Sequence, residues 1–144
     1  MENEHIYETS LKWTENRKGV FFSVGMEDIE VATPIQFPGG HPNIWSPEHF
    51  YIGAAEICFM TTFLAIAEKS KLEFTAYESK AVGTLATVGK GLAFDKIKLY
   101  PKVTLKREED TEKALKLLEK AERHCLISNS MKNEVTYEAE IVVG

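Results

Sequence analysis

The residues that could do chemistry in this chain are two cysteines. Cys58 lies in the middle of the apolar stretch SPEHFYIGAAEICFMTTFLAIAEK, and Cys125 lies in AERHCLISNSM. A thiol in an apolar setting is normally an inert small hydrophobe, because desolvation disfavours the thiolate. Two thiols on two helices also fit a redox pair. One attacks a peroxide oxygen and becomes a sulfenic acid, and the other condenses with it to a disulfide. On spacing alone, packing is the stronger of the two readings.

Two charged residues could tip that balance. Arg17 lies in ENRKG, where it is either a solvated turn residue or a cation folded over Cys58. A nearby guanidinium can bring a thiol pKa from ~8.5 into the ~3.5–7.5 range. Glu48, in the first turn of the apolar helix, either complements the helix dipole by ~0.3–1 kcal/mol or clamps the Arg17 fork bidentately. Glu48 and Cys58 are ten residues apart in one helix, ~15 Å along its axis. They share a site most easily if a partner subunit supplies one of them. His49, Glu56 and His124 fall into no Cys-x-x-Cys or His-Glu-x-x-His spacing, so no metal site is expected. The histidines read as polar residues near helix ends. Glu56, in a mostly apolar helix, needs a polar partner. Phe37, Trp45, Phe50, Tyr51 and Phe59 are either core or an apolar mouth suited to an organic hydroperoxide.

The elements that position these residues follow from local pattern. Alternation over 5–14 predicts a strand with Tyr7, Thr9, Leu11 and Trp13 on one face. Residues 15–19 read as a tight turn, with Gly19 available for positive φ. Val20, Phe22 and Val24 face one way on the returning strand, a third strand covers 28–35, and the Gly- and Pro-rich 36–45 is a loop. Ser46-Pro47-Glu48 is a helix start, with Ser as N-cap and Pro in the first turn, and the helix runs to about residue 70. Strands over 74–89 and 92–105 flank Gly89-Lys90-Gly91, with Ile97, Leu99, Val103 and Leu105 on one face. Acids at 108–110 open a second helix whose Ala114, Leu118, Ala121 and Cys125 share a face. Glu119 and Arg123 pair on its outer side. A last strand covers 134–143. This order predicts one α+β domain over 1–144 with mainly antiparallel pairing. A central helix this apolar needs cover on more than one side, so an intimate homodimer is expected, its sheets wrapped around both central helices.

Bulk properties narrow the function classes. A net charge of −5, with no cluster of Lys or Arg among aromatics, argues against nucleic acid and anionic membrane partners. The polar, acidic start MENEHIYETS does not read as a secretory signal, so a cytoplasmic location is expected. Two cysteines are too few for a structural disulfide framework. Residues 49–67 are apolar enough to suggest a membrane span, but Glu56 near the centre would make insertion costly. A helix buried on most sides within a protein core is expected instead.

Taken together, Ser46-Pro47-Glu48, Gly53-Ala54-Ala55 and Cys58-Phe59 resemble the first cysteine motif of the OsmC/Ohr family of osmotically inducible and organic hydroperoxide resistance proteins. His124-Cys125-Leu126-Ile127-Ser128-Asn129 resembles the second motif, and Arg17 stands where the family has its arginine. The family usually has a proline where this chain has Leu126, and a small residue where it has Glu56. The resemblance covers nearly the whole chain. It implies an OsmC-like fold in an intertwined homodimer, and a thiol peroxidase reducing organic hydroperoxides, with hydrogen peroxide as a further substrate. It implies Cys58 as the peroxidatic thiol, Cys125 as the resolving thiol, Arg17 as thiolate activator and Glu48 as its anchor. No cofactor or metal is implied, and the reductant is a small or lipoyl-type dithiol. The alternative on the same fold is a hydrophobic-ligand-binding or redox-sensing protein without efficient turnover.

Overall fold

Three short strands open the chain as an antiparallel sheet in the order β1-β2-β3: β1 (Ser10–Trp13), β2 (Lys18–Phe22) and β3 (Ile29–Ala32). They come from a computed structural model that describes residues 3–144; Met1 and Glu2, the start of the domain expected over 1–144, lie outside the described residues. The β1–β2 turn closes with the Lys18 N–H donating to the Glu15 carbonyl at 2.9 Å. Its positive φ falls on Asn16 (49°), not on Gly19 as expected. Gly19 serves a different need: it pairs with Trp13 in the ladder, and a Cβ there would lie 2.9 Å from the Lys12 carbonyl oxygen. Asn tolerates the left-handed region well enough to take the turn position.

The chain divides into two units, Met1–Tyr51 and Ile52–Gly144. The first holds the β1–β3 sheet, the loop after it and the first turn of helix α1 (Pro47–Lys69). Ser46 is fully buried and caps that helix. The His49 N–H donates to Ser46 Oγ at 3.3 Å, and the Ser46 N–H donates back to His49 Nδ1 at 3.2 Å. This is a reciprocal cap in which His takes the place usually held by Glu or Gln.

The second unit is built on a long hairpin. Strands β4 (Phe74–Val88) and β5 (Gly91–Leu105) pair antiparallel across the two-residue turn Gly89-Lys90. Beyond β5 come α2 (Thr111–His124), the short α3 (Leu126–Asn129), β6 (Glu134–Tyr137) and β7 (Glu140–Val143). Both β6 and β7 pair with β5, and both pair parallel to it, so the sheet is mixed. The single last strand expected over 134–143 is two. The Leu99 and Leu105 carbonyls accept from the Glu138 and Gly144 N–H groups, so by alternation the nitrogen of Pro101 faces the same neighbour. Proline has no N–H to give, and the ladder is interrupted opposite it.

Burial follows the expected periods. Ile97, Leu99, Val103 and Leu105 on β5 are buried, as are Ala114, Leu118 and Ala121 on α2. On α1 the buried residues are Ala55, Phe59, Phe63 and Ala67, one stripe at i,i+4 spacing. Phe63 packs its ring against Phe74 at 5.7 Å and Tyr77 at 5.5 Å, and Phe59 packs on Tyr137 at 5.4 Å. The expectation of a helix buried on most sides is therefore corrected for the single chain. One sheet covers one side of a helix, and Ile57, off the stripe, is 60% exposed. By length and composition alone α1 would also suffice to cross a bilayer, yet its buried stripe is packed on protein rings.

These burials set a contrast within one helix. Leu118 is fully buried, while Leu115 is 43% exposed. In urea unfolding, Leu118→Ala should cost about 2–5 kcal/mol and Leu115→Ala about 0.5 kcal/mol or less. Equal costs would contradict the assigned face.

Candidate active site

The second unit brings the two cysteines together. Helix α2 ends at His124, because Cys125 leaves helical geometry at φ −72° and ψ 103° before α3 begins. Residues opening a helix have N–H groups with no acceptor inside it. Here the Leu126–Ile127 backbone and the Cys125 thiol act on Cys58 and favour its ionised form. Thr62, one turn further along α1, places its hydroxyl 3.8 Å from Cys58 Sγ. The Ser128 hydroxyl donates to Cys125 Sγ at 3.2 Å. Both cysteines are free thiols; Cys125 is buried and Cys58 half-buried.

This arrangement separates the two thiols electrostatically. Burial pushes Cys58 up. The Ile127 N–H, the Cys125 thiol, the Thr62 hydroxyl and the Leu126 N–H outweigh it, and Cys58 stands below the ordinary thiol value. Burial also pushes Cys125 up. The Ser128 hydroxyl and N–H pull it back in part, but its hydrogen bond to Cys58 and the charge there raise it, and Cys125 stands above the ordinary value. The pair thus holds one activated sulfur beside one that stays protonated.

Glu56 has the partner its setting demanded: its carboxylate accepts the Ser79 hydroxyl. Burial, and then the charge of Glu56, hold Tyr77 above the usual phenol range, so that ring stays neutral.

Arg17 and Glu48 belong to the first unit, where they line one cavity of about 410 Å³ with Thr33, Pro34, Phe37, Pro38 and Pro47. The Thr33 N–H donates to the Arg17 carbonyl at 3.2 Å. The Arg17 side chain lies along Gly39 (φ 79°), where a Cβ would come within 3.0 Å of its Nε. Gly39 is thus required twice, for its φ and for the space. Glu48 Oε1 is buried without a hydrogen-bond partner, and no ion pair joins Glu48 to Arg17 among the described residues. The two share a cavity wall without pairing.

The remaining candidates have simpler places. His49 caps α1, and His124 is exposed at the end of α2. Among the described residues, no group of three or more His, Cys, Asp or Glu side chains gathers as a metal site. Trp45 stacks on Phe50 at 6.3 Å, and Phe50 packs on Phe21 at 5.6 Å. Sequence reasoning missed Thr62, Ser128 and Gly39. Thr62 is four residues after Cys58 and Ser128 three after Cys125, so helical spacing could have found both.

With this geometry in place, the comparisons with known proteins decide the family. Residues 40–140 match the model of the OsmC-like protein family. The chain belongs to the OsmC family. It is 31% identical to the uncharacterized protein YmaD of Bacillus subtilis, over 99% of this chain and 97% of that protein. The solved structure of an OsmC-like protein of unknown function from Vibrio cholerae superposes with a TM-score of 0.86 at 23% identity, over 94% of this chain and 99% of that one. An organic hydroperoxide resistance protein from Elizabethkingia anophelis superposes at 0.75 with 18% identity, covering 100% of both chains. One from Legionella pneumophila superposes at 0.72 with 21% identity, over 96% and 99%. The OsmC-like α+β fold is thereby shown.

The opposed shifts of its thiols give this OsmC-family protein a labelling order. With limiting iodoacetamide near neutral pH, Cys58 should be modified first and Cys125 only after unfolding, as read by peptide mapping. Equal or reversed labelling would contradict the site.

Proposed function

We propose that this OsmC-family protein is a thiol peroxidase that reduces organic hydroperoxides. The observation that carries this reading is the free Cys58–Cys125 pair, with hydrogen-bond donors gathered on one sulfur and the other held protonated. Membership of a family that includes organic hydroperoxide resistance proteins supports it.

The chemistry balances as a two-thiol cycle. The Cys58 thiolate attacks one peroxide oxygen, the O–O bond breaks, and the alkoxide takes a proton to leave as alcohol. Cys58 is left as a sulfenic acid. The Cys125 sulfur attacks the Cys58 sulfur, its proton leaves with the hydroxyl as water, and a disulfide forms. A small or lipoyl-type dithiol returns both thiols and is itself oxidised to a disulfide. Cys125 suits the resolving step because it is buried and protonated, so it does not compete for peroxide. Arg17 and Glu48 complete the site as thiolate activator and its anchor, and the Arg17–Glu48 pair that serves a given Cys58 comes from the partner in a homodimer. The largely apolar α1 with its exposed Ile57 supports such a dimer. A reducing, cytoplasmic setting keeps the cycle primed.

Turnover is tested with cumene hydroperoxide and dihydrolipoamide. Cys58→Ser should fall to the rate of the dithiol alone. Cys125→Ser should consume one peroxide per chain and then stop or over-oxidise. Wild-type turnover in the absence of Cys58 would overturn the assignment.

A further inference from the structure

We propose that Ser128 is a positioning residue for disulfide closure: its hydroxyl holds the Cys125 sulfur and stabilises the charge that sulfur develops when it attacks Cys58.

Residues 128–130 carry consecutive polar side chains just after Cys125, and they are used differently. Asn129 Nδ2 donates to the Arg123 carbonyl at 3.1 Å, at the end of α2. The Ser130 hydroxyl donates to the Leu126 carbonyl at 2.8 Å, the i−4 bond that serine commonly makes in a helix. Both serve the backbone, and the Asn129 N–H adds a bond to the Cys125 carbonyl at 3.0 Å. The Ser128 hydroxyl goes instead to a side chain, donating to Cys125 Sγ at 3.2 Å. Asn129 and Ser130 hold the turn, so the Ser128 bond is left to act on the sulfur. Cys125 is fully buried, so its sulfur has no contact with water. Closure asks that sulfur to form a bond to Cys58 and give up its proton, so negative charge gathers on it during attack. Burial opposes that charge. A hydroxyl already donating to the sulfur binds it more strongly as the charge grows, and needs no rotamer change to do so. The same contact helps in reverse, when a dithiol attacks the Cys58 sulfur of the disulfide and Cys125 leaves.

Closure is read without peroxide by an aromatic disulfide, dithiobis(nitrobenzoate), on the full chain. The Cys58 thiolate attacks it and releases one coloured thionitrobenzoate. Cys125 then attacks the Cys58 sulfur of the mixed disulfide, loses its proton to solvent and releases the second. The first phase depends on reagent concentration and reports Cys58. The second does not and reports Cys125. Ser128→Ala should slow the second phase about three- to tenfold and leave the first where it is. Ser128→Thr keeps a hydroxyl and should restore the second phase. Circular dichroism and a thermal melt report whether each variant folds. If the alanine variant does not, Ser128→Thr against Ser128→Val makes the comparison at similar volume, and the threonine variant should close faster by the same factor. A second phase unchanged in folded Ser128→Ala, or equal in the threonine and valine variants, overturns the proposal. So does equal slowing of both phases, or a wild type that releases only one thionitrobenzoate. The part Ser128 plays in peroxide reduction rests on the peroxidase reading, but closure does not. A wild type that closes in two phases yet leaves cumene hydroperoxide intact would sink the peroxidase reading and leave this one standing.

Discussion

The influence of Cys125 and the chain just after it on the ionisation of Cys58 is the constraint on which the rest of this structure depends. Cys58 sits on a helix that is apolar along nearly its whole length, and burial there works against a thiolate. What reverses the balance comes mainly from another segment, with Thr62 of the same helix adding to it. The donors are available because α2 stops at His124 and Cys125 turns extended. That stop is held in register by Ala114, Leu118 and Ala121, which bury one face of α2 and bring Cys125 in behind them. The same break that frees the amides also buries the second thiol and keeps it protonated. One backbone event thus makes two unlike cysteines out of a like pair.

The long helix answers a second constraint. It must present Cys58 at a fixed height, and its buried stripe of Ala55, Phe59, Phe63 and Ala67 does this against rings from β4 and β6. Alanines at the ends of the stripe and phenylalanines in the middle leave no polar atom to compete for the sulfur. Glu56, the one carboxylate near Cys58 on this helix, is engaged by Ser79. In the first unit, a buried carboxylate oxygen without a partner is costly. Glu48 Oε1 carries that cost at the wall of the cavity it shares with Arg17.

Much of the fold was legible because one-sided burial writes a period into the sequence. The alternation on β5 and the face of α2 were readable for that reason, as was the Ser46 start of α1. What was not legible depends on distant neighbours. The interruption between β6 and β7 is set by Pro101 on the adjacent strand, and nothing within 134–143 announces it. Gly19 looked like a turn glycine but answers to the Lys12 carbonyl across the ladder. Among the candidate residues, the cysteines, Arg17 and Glu48 were visible as residue types. The contribution of the Leu126–Ile127 backbone to Cys58 was not, because an amide carries no signature in the side-chain pattern.

Thiol content after a single oxidising equivalent tests the central claim most directly. The reduced protein is treated with one equivalent of an organic hydroperoxide, digested without reductant and mapped by mass spectrometry. The pairing described here predicts loss of both thiols and a peptide cross-linked through Cys58 and Cys125. Two intact thiols, or a cross-link between copies of Cys58, would contradict it.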